Sequence, residues 1–311
     1  MTAEIFRCGW AAIIGPPNAG KSTLLNALLG QKLSIVTPKA QTTRNRITGI
    51  LTDANSQVIF MDTPGIHQAR GKMNRILTQT VWQAVNSADV LLPIVDAELY
   101  VRKPEYLEND VEPMIKAIKT ETRPVLVIAN KVDLIGDKSR LLPLLQTLHV
   151  LWPHAEIFPV SALHKAGLPE LLHNIISAIP EGPAQFPEEQ ISTMPLRFMA
   201  AEAIREQLFL TLRQELPYSV AVDIDTWTEE PERNLTCIHS VIYVARSSHK
   251  AIVIGKNGRN LKAIGQAARK EIAEILGTRV HLELWVKIRE DWPEDLGVLR
   301  THELGLDGRN A

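Results

Sequence analysis

Residues 15–22 read GPPNAGKS, the spacing G-x-x-x-x-G-K-[ST]. Glycines so spaced let successive backbone N–H groups turn into one concavity. The lysine then reaches the β- and γ-phosphates of a nucleotide, and the hydroxyl behind it ligates Mg2+. Gly15, Ala19, Gly20, Lys21, Ser22 and Thr23 are therefore candidate phosphate ligands, and Ser22 is also a candidate metal ligand. DTPG at 62–65 ends an apolar run. At such a strand end Asp62 can hold Mg2+ through water, and Gly65 can offer its N–H to a γ-phosphate. NKVD at 130–133 supplies Asn130, Lys131 and Asp133. The Asp133 carboxylate can accept two hydrogen bonds from the N1–H and exocyclic amine of guanine, whereas adenine would leave it unpaired. SAL at 161–163 (Ser161, Ala162, Leu163) adds a backbone N–H from Ala162 for the guanine carbonyl. The chemistry implied is binding of GTP and GDP with Mg2+, and cleavage of the terminal phosphate.

A second glycine loop, GKNG at 255–258, lacks a lysine–hydroxyl pair after its second glycine, so it cannot serve a Mg2+ nucleotide in the same way. It joins two helical patterns in the order α-β-β-α-α-β, where G-x-x-G lets a nucleic-acid backbone approach closely. That order resembles the KH arrangement, which clamps about four nucleotides of single strand. Residues 241–279 hold eight Lys or Arg against the two acids Glu271 and Glu274. A basic stripe attracts phosphates. Lys250, Ile254, Gly255, Lys256, Asn257, Gly258, Arg259 and Lys262 are the candidate RNA-binding residues, with Ile252, Ile254 and Ile264 as candidates to line a groove for bases.

The elements that must position these loops are legible as apolar runs. WAAIIG, QVIFMD, DVLLPIVD, PVLVIAN and EIFPVS alternate with amphipathic stretches up to about residue 180, the pattern of a parallel sheet with crossover helices. Pro93 falls inside one run and predicts a bend or bulge, because a central strand needs that N–H. The proline-rich, acidic stretch 181–195 reads as a linker. The division expected is a G domain at 1–180, a linker at 181–195, a KH domain at 196–290 and a tail at 291–311. The 311 residues exceed what one core usually covers, which agrees with two domains. A net charge of -1 names no partner by itself. No apolar run approaches the ~20 residues of a spanning helix, no secretory leader is evident, and Cys8 and Cys237 lack CxxC spacing. A cytoplasmic location follows as the expectation, with peripheral association at the inner face of the membrane left open.

The nucleotide motifs, co-ordered on successive strand ends, resemble the translation-factor-like GTPases. GPPNAGKSTLLNALLGQKLSIVTPKAQTTR, DTPGIH, NKVD, RFMAAEAIREQ, ELPYSV, VIGKNG and VHLELWVKI together resemble the Era family, bacterial GTPases with a C-terminal KH domain that assist small-subunit ribosome assembly. Pro16, Ala19 and ISTMPL depart from the family's usual pattern. The resemblance implies an α/β P-loop GTPase domain, with a mostly parallel sheet and helices on both faces, followed by an α+β type II KH domain. It implies binding near the 3′ end of small-subunit rRNA under control of the nucleotide, and a monomer. Ile66 stands where related GTPases carry a water-orienting Gln, so turnover is expected to be slow and another group must stabilise the transition state. Asn18 matches a loop Asn that helps such families bind a monovalent cation, usually K+; a loop-stabilising role is the alternative. Within the expected switch loop 38–44, Thr43, or alternatively Thr42, would close on Mg2+. Lys21, Asn18, Thr43 and Gly65 are the catalytic candidates, and Ser22, Thr43 and Asp62 the metal ligands. His67 is read as a solvated loop residue. A reading from another class is a signalling or membrane-associated GTPase whose C-terminal unit docks proteins.

Overall fold

A computed structural model describes residues 6–37, 39, 42–66, 72–118, 121–212 and 220–289. Residues 1–34 and 43–193 make one unit, and residues 35–42 and 194–311 the other.

In the first unit the apolar runs become β1 (Arg7–Ile14), β3 (Ser56–Asp62), β4 (Val90–Asp96), β5 (Leu126–Asn130) and β6 (Glu156–Pro159), and β2 (Ile47–Asp53) is a further strand that the sequence reading does not mark. The sheet order is β2-β3-β1-β4-β5-β6, parallel throughout except where β2 runs antiparallel to β3. Helices α1 (Lys21–Leu29), α2 (Lys72–Ser87), α3 (Ala97–Arg102), α4 (Leu107–Ile118) and α5 (Leu141–Leu151) connect the strands, and α6 (Leu168–Ala178) follows β6. Ala12, Ile14, Met61, Leu91, Val95 and Val127 pack in one cluster with residues of α2, α4 and α5. The alternate residues Ala11, Ile13, Phe60, Leu92 and Ile128 are also buried, as the two-residue period of strands covered on both faces requires.

Of the bend or bulge expected at Pro93, the bulge is absent. Leu91 pairs Val125 and Ile94 pairs Ile128 with the same offset, so the proline removes a ladder hydrogen bond without inserting a residue. Residues 181–193 are held to the sheet. Gly182 N–H donates to Phe6 O (3.1 Å), Ile50 N–H to Ile191 O (2.9 Å) and Ser192 Oγ to Thr48 O (2.6 Å). Gln57, fully buried, is the hub: its Oε1 accepts from the N–H groups of Gln185 (2.8 Å) and Phe186 (3.0 Å), while Nε2 donates to Phe186 O (2.9 Å).

The second unit runs α7 (Leu196–Thr211), β7 (Val220–Glu230), β8 (Leu235–Val244), α8 (Ser247–Ile254), α9 (Arg259–Leu276) and β9 (Arg279–Ile288), the order read from the sequence. Its sheet is β7-β8-β9, with β8 antiparallel to β7 and parallel to β9. Ile264, Ala268 and Ile272 of α9, at helical spacing, bury against Ile204 and Leu208 of α7 and Ile238 and Ile242 of β8. Among the described residues no helix is long and apolar enough to cross a membrane.

Replacing Gln57 by Leu should strand two backbone N–H groups and a carbonyl under residues 185–186. Urea denaturation should report a loss of roughly 2–4 kcal/mol, with new proteolysis in 181–193; unchanged stability would mean that the segment is held by other contacts.

Candidate functional site

The first glycine loop lies between the end of β1 and the start of α1, so its N–H groups and the helix N-terminus face one concavity. Gly20 has φ +98, and a Cβ there would lie 2.3 Å from Asn130 Nδ2. Only glycine fits both the left-handed backbone and the close approach. Lys21 is buried, and its Nζ donates to Gly15 O (3.0 Å) and Pro16 O (2.8 Å). Burial pushes this ammonium down to about 8, opposed by the charge of Asp62. A desolvated cation held by two neutral carbonyls is primed for an anion. Asn18 is exposed, with φ 62, a conformation that Asn tolerates better than most residues. Thr23 lies in the first turn of α1, half-buried.

Three oxygen-bearing side chains meet beside the lysine. Ser22 Oγ lies 2.9 Å from Thr43 Oγ1 and donates to Asp62 Oδ2 at 2.6 Å. Ser34, which no sequence motif singles out, also donates to Asp62 Oδ2 (2.8 Å). Asp62 is fully buried and its Oδ1 has no hydrogen-bond partner among the described residues. Burial raises its carboxyl pKa, while the Ser22 bond and the Lys21 charge oppose that rise. A buried carboxylate oxygen without a partner, flanked by two hydroxyls, is a hard donor set that fits Mg2+. Thr42 is engaged elsewhere: its hydroxyl lies 2.6 Å from Thr37 Oγ1 and donates to Lys39 O (2.7 Å). Of the expected switch loop, residues 38, 40 and 41 lie outside the described residues, as does His67. Gly65 ends the DTPG turn, and the N–H of the following Ile66 donates to Gly15 O (3.0 Å), tying this turn to the phosphate loop.

Asn130 braces the two halves of the site. Its Nδ2 donates to Ala19 O in the phosphate loop (2.9 Å), and its Oδ1 accepts from Ala162 N–H (3.0 Å). The N–H expected to meet a guanine carbonyl is therefore occupied: with Nδ2 committed to Ala19, the amide oxygen of Asn130 faces the SAL loop. Ser161 is buried and its Oγ accepts from His164 N–H (3.1 Å), whereas Leu163 is exposed. Lys131 has φ 67, and its Nζ donates to Asp96 Oδ2 at 2.6 Å. The Asp133 carboxylate lies 3.7 Å from His164 Nε2, longer than a direct hydrogen bond.

In the second unit the GKNG turn leaves the end of α8 and enters α9. Gly255 (φ 72), Asn257 (φ 54) and Gly258 (φ 74) all lie at positive φ. Asn260 Nδ2 donates to Ile252 O across the turn (2.9 Å). Lys256, Asn257, Arg259 and Lys262 are exposed, Lys250 and Ile254 are half-buried, and Ile252 is 51% exposed. Ile264 is fully buried in the core, so it does not line a groove: its place in the α9 repeat points it toward α7 and β8.

Residues 11–131 match the family described as 50S ribosome-binding GTPase, and residues 215–293 match the KH domain. The chain is 61% identical over 306 residues to the GTPase Era of Desulfovibrio desulfuricans, covering 98% of this chain and 99% of that one. It is 43% identical to the GTPase Era of Geobacter metallireducens, covering 98% and 99%. Among solved structures it is similar to Aquifex aeolicus Era, in a Tyr-to-Ala variant bound to GDP and AlF4- (TM-score 0.86, 41% identity, 95% of this chain and 98% of that one). It is equally similar to Era in complex with MgGDPNP and nucleotides 1506–1542 of 16S ribosomal RNA (TM-score 0.86, 41% identity, the same coverage). With such identity over nearly its full length, and both domains matched in order, the chain belongs to the Era family of GTPases.

Proposed function

We propose that this chain is a GTP-hydrolysing switch that binds the 3′ region of small-subunit rRNA and assists maturation of the small ribosomal subunit. One observation carries the reading. A related chain, similar over 95% of this one, is held in a single structure in complex with both MgGDPNP and nucleotides 1506–1542 of 16S ribosomal RNA. The reading of the C-terminal unit as a protein-docking module in a signalling GTPase draws no support from these matches.

In this reading the phosphate-loop N–H groups and Lys21 hold the β- and γ-phosphates, and Thr23 backs them from the first turn of α1. Ser22, Thr43 and Asp62 hold Mg2+, which supplies charge neutralisation of the phosphates when bound. Thr43 is preferred to Thr42 because its hydroxyl already lies 2.9 Å from that of Ser22. Gly65 offers its N–H to the γ-phosphate, and Asp133 reads guanine, with Ala162 N–H shifting from Asn130 to the base carbonyl. Ile66 cannot orient water, so charge building between the β- and γ-phosphates requires a cation, K+ beside Asn18, and turnover without a partner is slow. Lys250, Lys256, Arg259 and Lys262 meet RNA phosphates around the GKNG turn, and Ile254 meets a base. The chain acts as a monomer in the cytoplasm, with contact at the inner membrane face peripheral where it occurs.

Exchanging Na+ for K+ should raise the single-turnover GTPase rate, on the order of tenfold, and Asn18→Ala should abolish the difference; equal rates in both salts would remove K+ from the site. Gly255→Asp with Gly258→Asp should cost at least about tenfold in affinity for single-stranded RNA carrying the 16S 3′ sequence. The native slope of log K against log salt should be near about -3, for four phosphates at ~0.7 each. Native affinity in the double variant, or a flat salt response, would place RNA elsewhere.

A further inference from the structure

Lys131 carries the positive φ of 67 that non-glycine residues rarely adopt, and it immediately precedes the residues that read the base. Its side chain does not trail into solvent. Nζ reaches across the strand ends to Asp96 Oδ2 at 2.6 Å, with side-chain exposures of 29% and 15%. Asp96 is the last residue of β4 and stands opposite Asn130 in the pairing of β4 with β5. The lysine stem therefore bridges the carboxyl ends of two neighbouring parallel strands, the edge where ligands of open α/β sheets bind. Asp96 is fixed by a second bond, since its Oδ1 accepts from Leu99 N–H (3.1 Å) as the N-cap of α3. Asp96 also lines a cavity of about 180 Å³ between Pro16, Pro17 and Ala19 of the phosphate loop and Tyr100, Asn109 and Pro113. Asp96 thus stands beside the phosphate loop as well as beside Lys131.

We propose that Asp96 is a positioning residue for nucleotide binding: its α3-anchored carboxylate holds Lys131 stretched over the strand ends, so that the methylene stem presents a fixed apolar wall to the purine. A lysine released from that anchor would have to lose its rotamer freedom on binding, and the nucleotide would bind more weakly. The inference rests on the nucleotide site proposed above.

The test is a double-mutant cycle on GDP affinity, measured by calorimetry on the full chain. Asp96→Asn keeps an N-cap acceptor for Leu99 but removes the charge, and Lys131→Met keeps the stem but removes the ammonium. Each should weaken GDP by roughly fivefold, about 1 kcal/mol, and the double variant by no more than either single one. Losses that multiply to about 25-fold, or native affinity in Asp96→Asn, would overturn the proposal. If Asp96→Asn does not fold, Asp96→Ser, which also caps without charge, enters the same cycle with the same outcomes. Should the native chain bind ATP as tightly as GTP, the proposed base reading fails. Should guanine preference persist while the Asp96 variants bind GDP normally, only the present inference fails.

Discussion

A primary ammonium held in the protein interior by two neutral carbonyls is the constraint around which the first unit is built. Lys21 cannot leave that position, because α1 begins with it and the loop before it is closed by Gly20 against Asn130. Nor is it comfortable there, since burial brings its pKa to about 8. Such an ammonium, with the charge of Asp62 nearby, suits a further anion, and the surrounding groups define which kind. Donor N–H groups of a helix start favour phosphate, and the partnerless oxygen of Asp62 beside two hydroxyls adds a place for a hard cation. A polyphosphate carrying Mg2+ satisfies both deficits at once.

The sheet delivers these groups to one edge. Asp62, Asp96 and Asn130 each end a strand on the same side, so loops that are distant in sequence share a few ångströms of space. Asn130 then works as a brace, joining Ala19 to Ala162 through opposite ends of one amide. The second unit relies on a different device, a turn between two helices with three residues at positive φ, whose Lys256 and Asn257 are exposed. In the function proposed above, one loop would close around a small anion with metal, while the other would meet a long polyanion.

Much of this was legible in the sequence because the relevant constraints are local. A phosphate loop needs glycine at fixed offsets, and a strand covered on both faces needs an uninterrupted apolar run. The α-β-β-α-α-β order of the second unit was equally visible, since each of its elements carries its own period. What escaped depends on residues far apart in the chain. Gln57 is an unremarkable strand glutamine until residues 185–186 are laid against it, which turns an expected linker into part of the first unit. Ser34 has no neighbouring motif, and only the fold brings it to Asp62. Antiparallel β2 lacks the dense apolar run of its neighbours, for it lies at the sheet edge. Pro93 misled for an instructive reason: the rule that a strand proline loses a hydrogen bond held, but the further step to a bulge did not.

If a nucleotide phosphate completes the surroundings of the buried Lys21, its titration must respond to nucleotide. Selective 13C labelling of the lysine ε-carbons, with Lys21 assigned by its loss in Lys21→Met, lets its titration be followed by NMR with and without GDP and Mg2+. A midpoint near pH 8 is expected in the nucleotide-free chain, with a shift to well above that value once GDP is bound, because the phosphates favour the charged form. A midpoint that GDP leaves in place would contradict it.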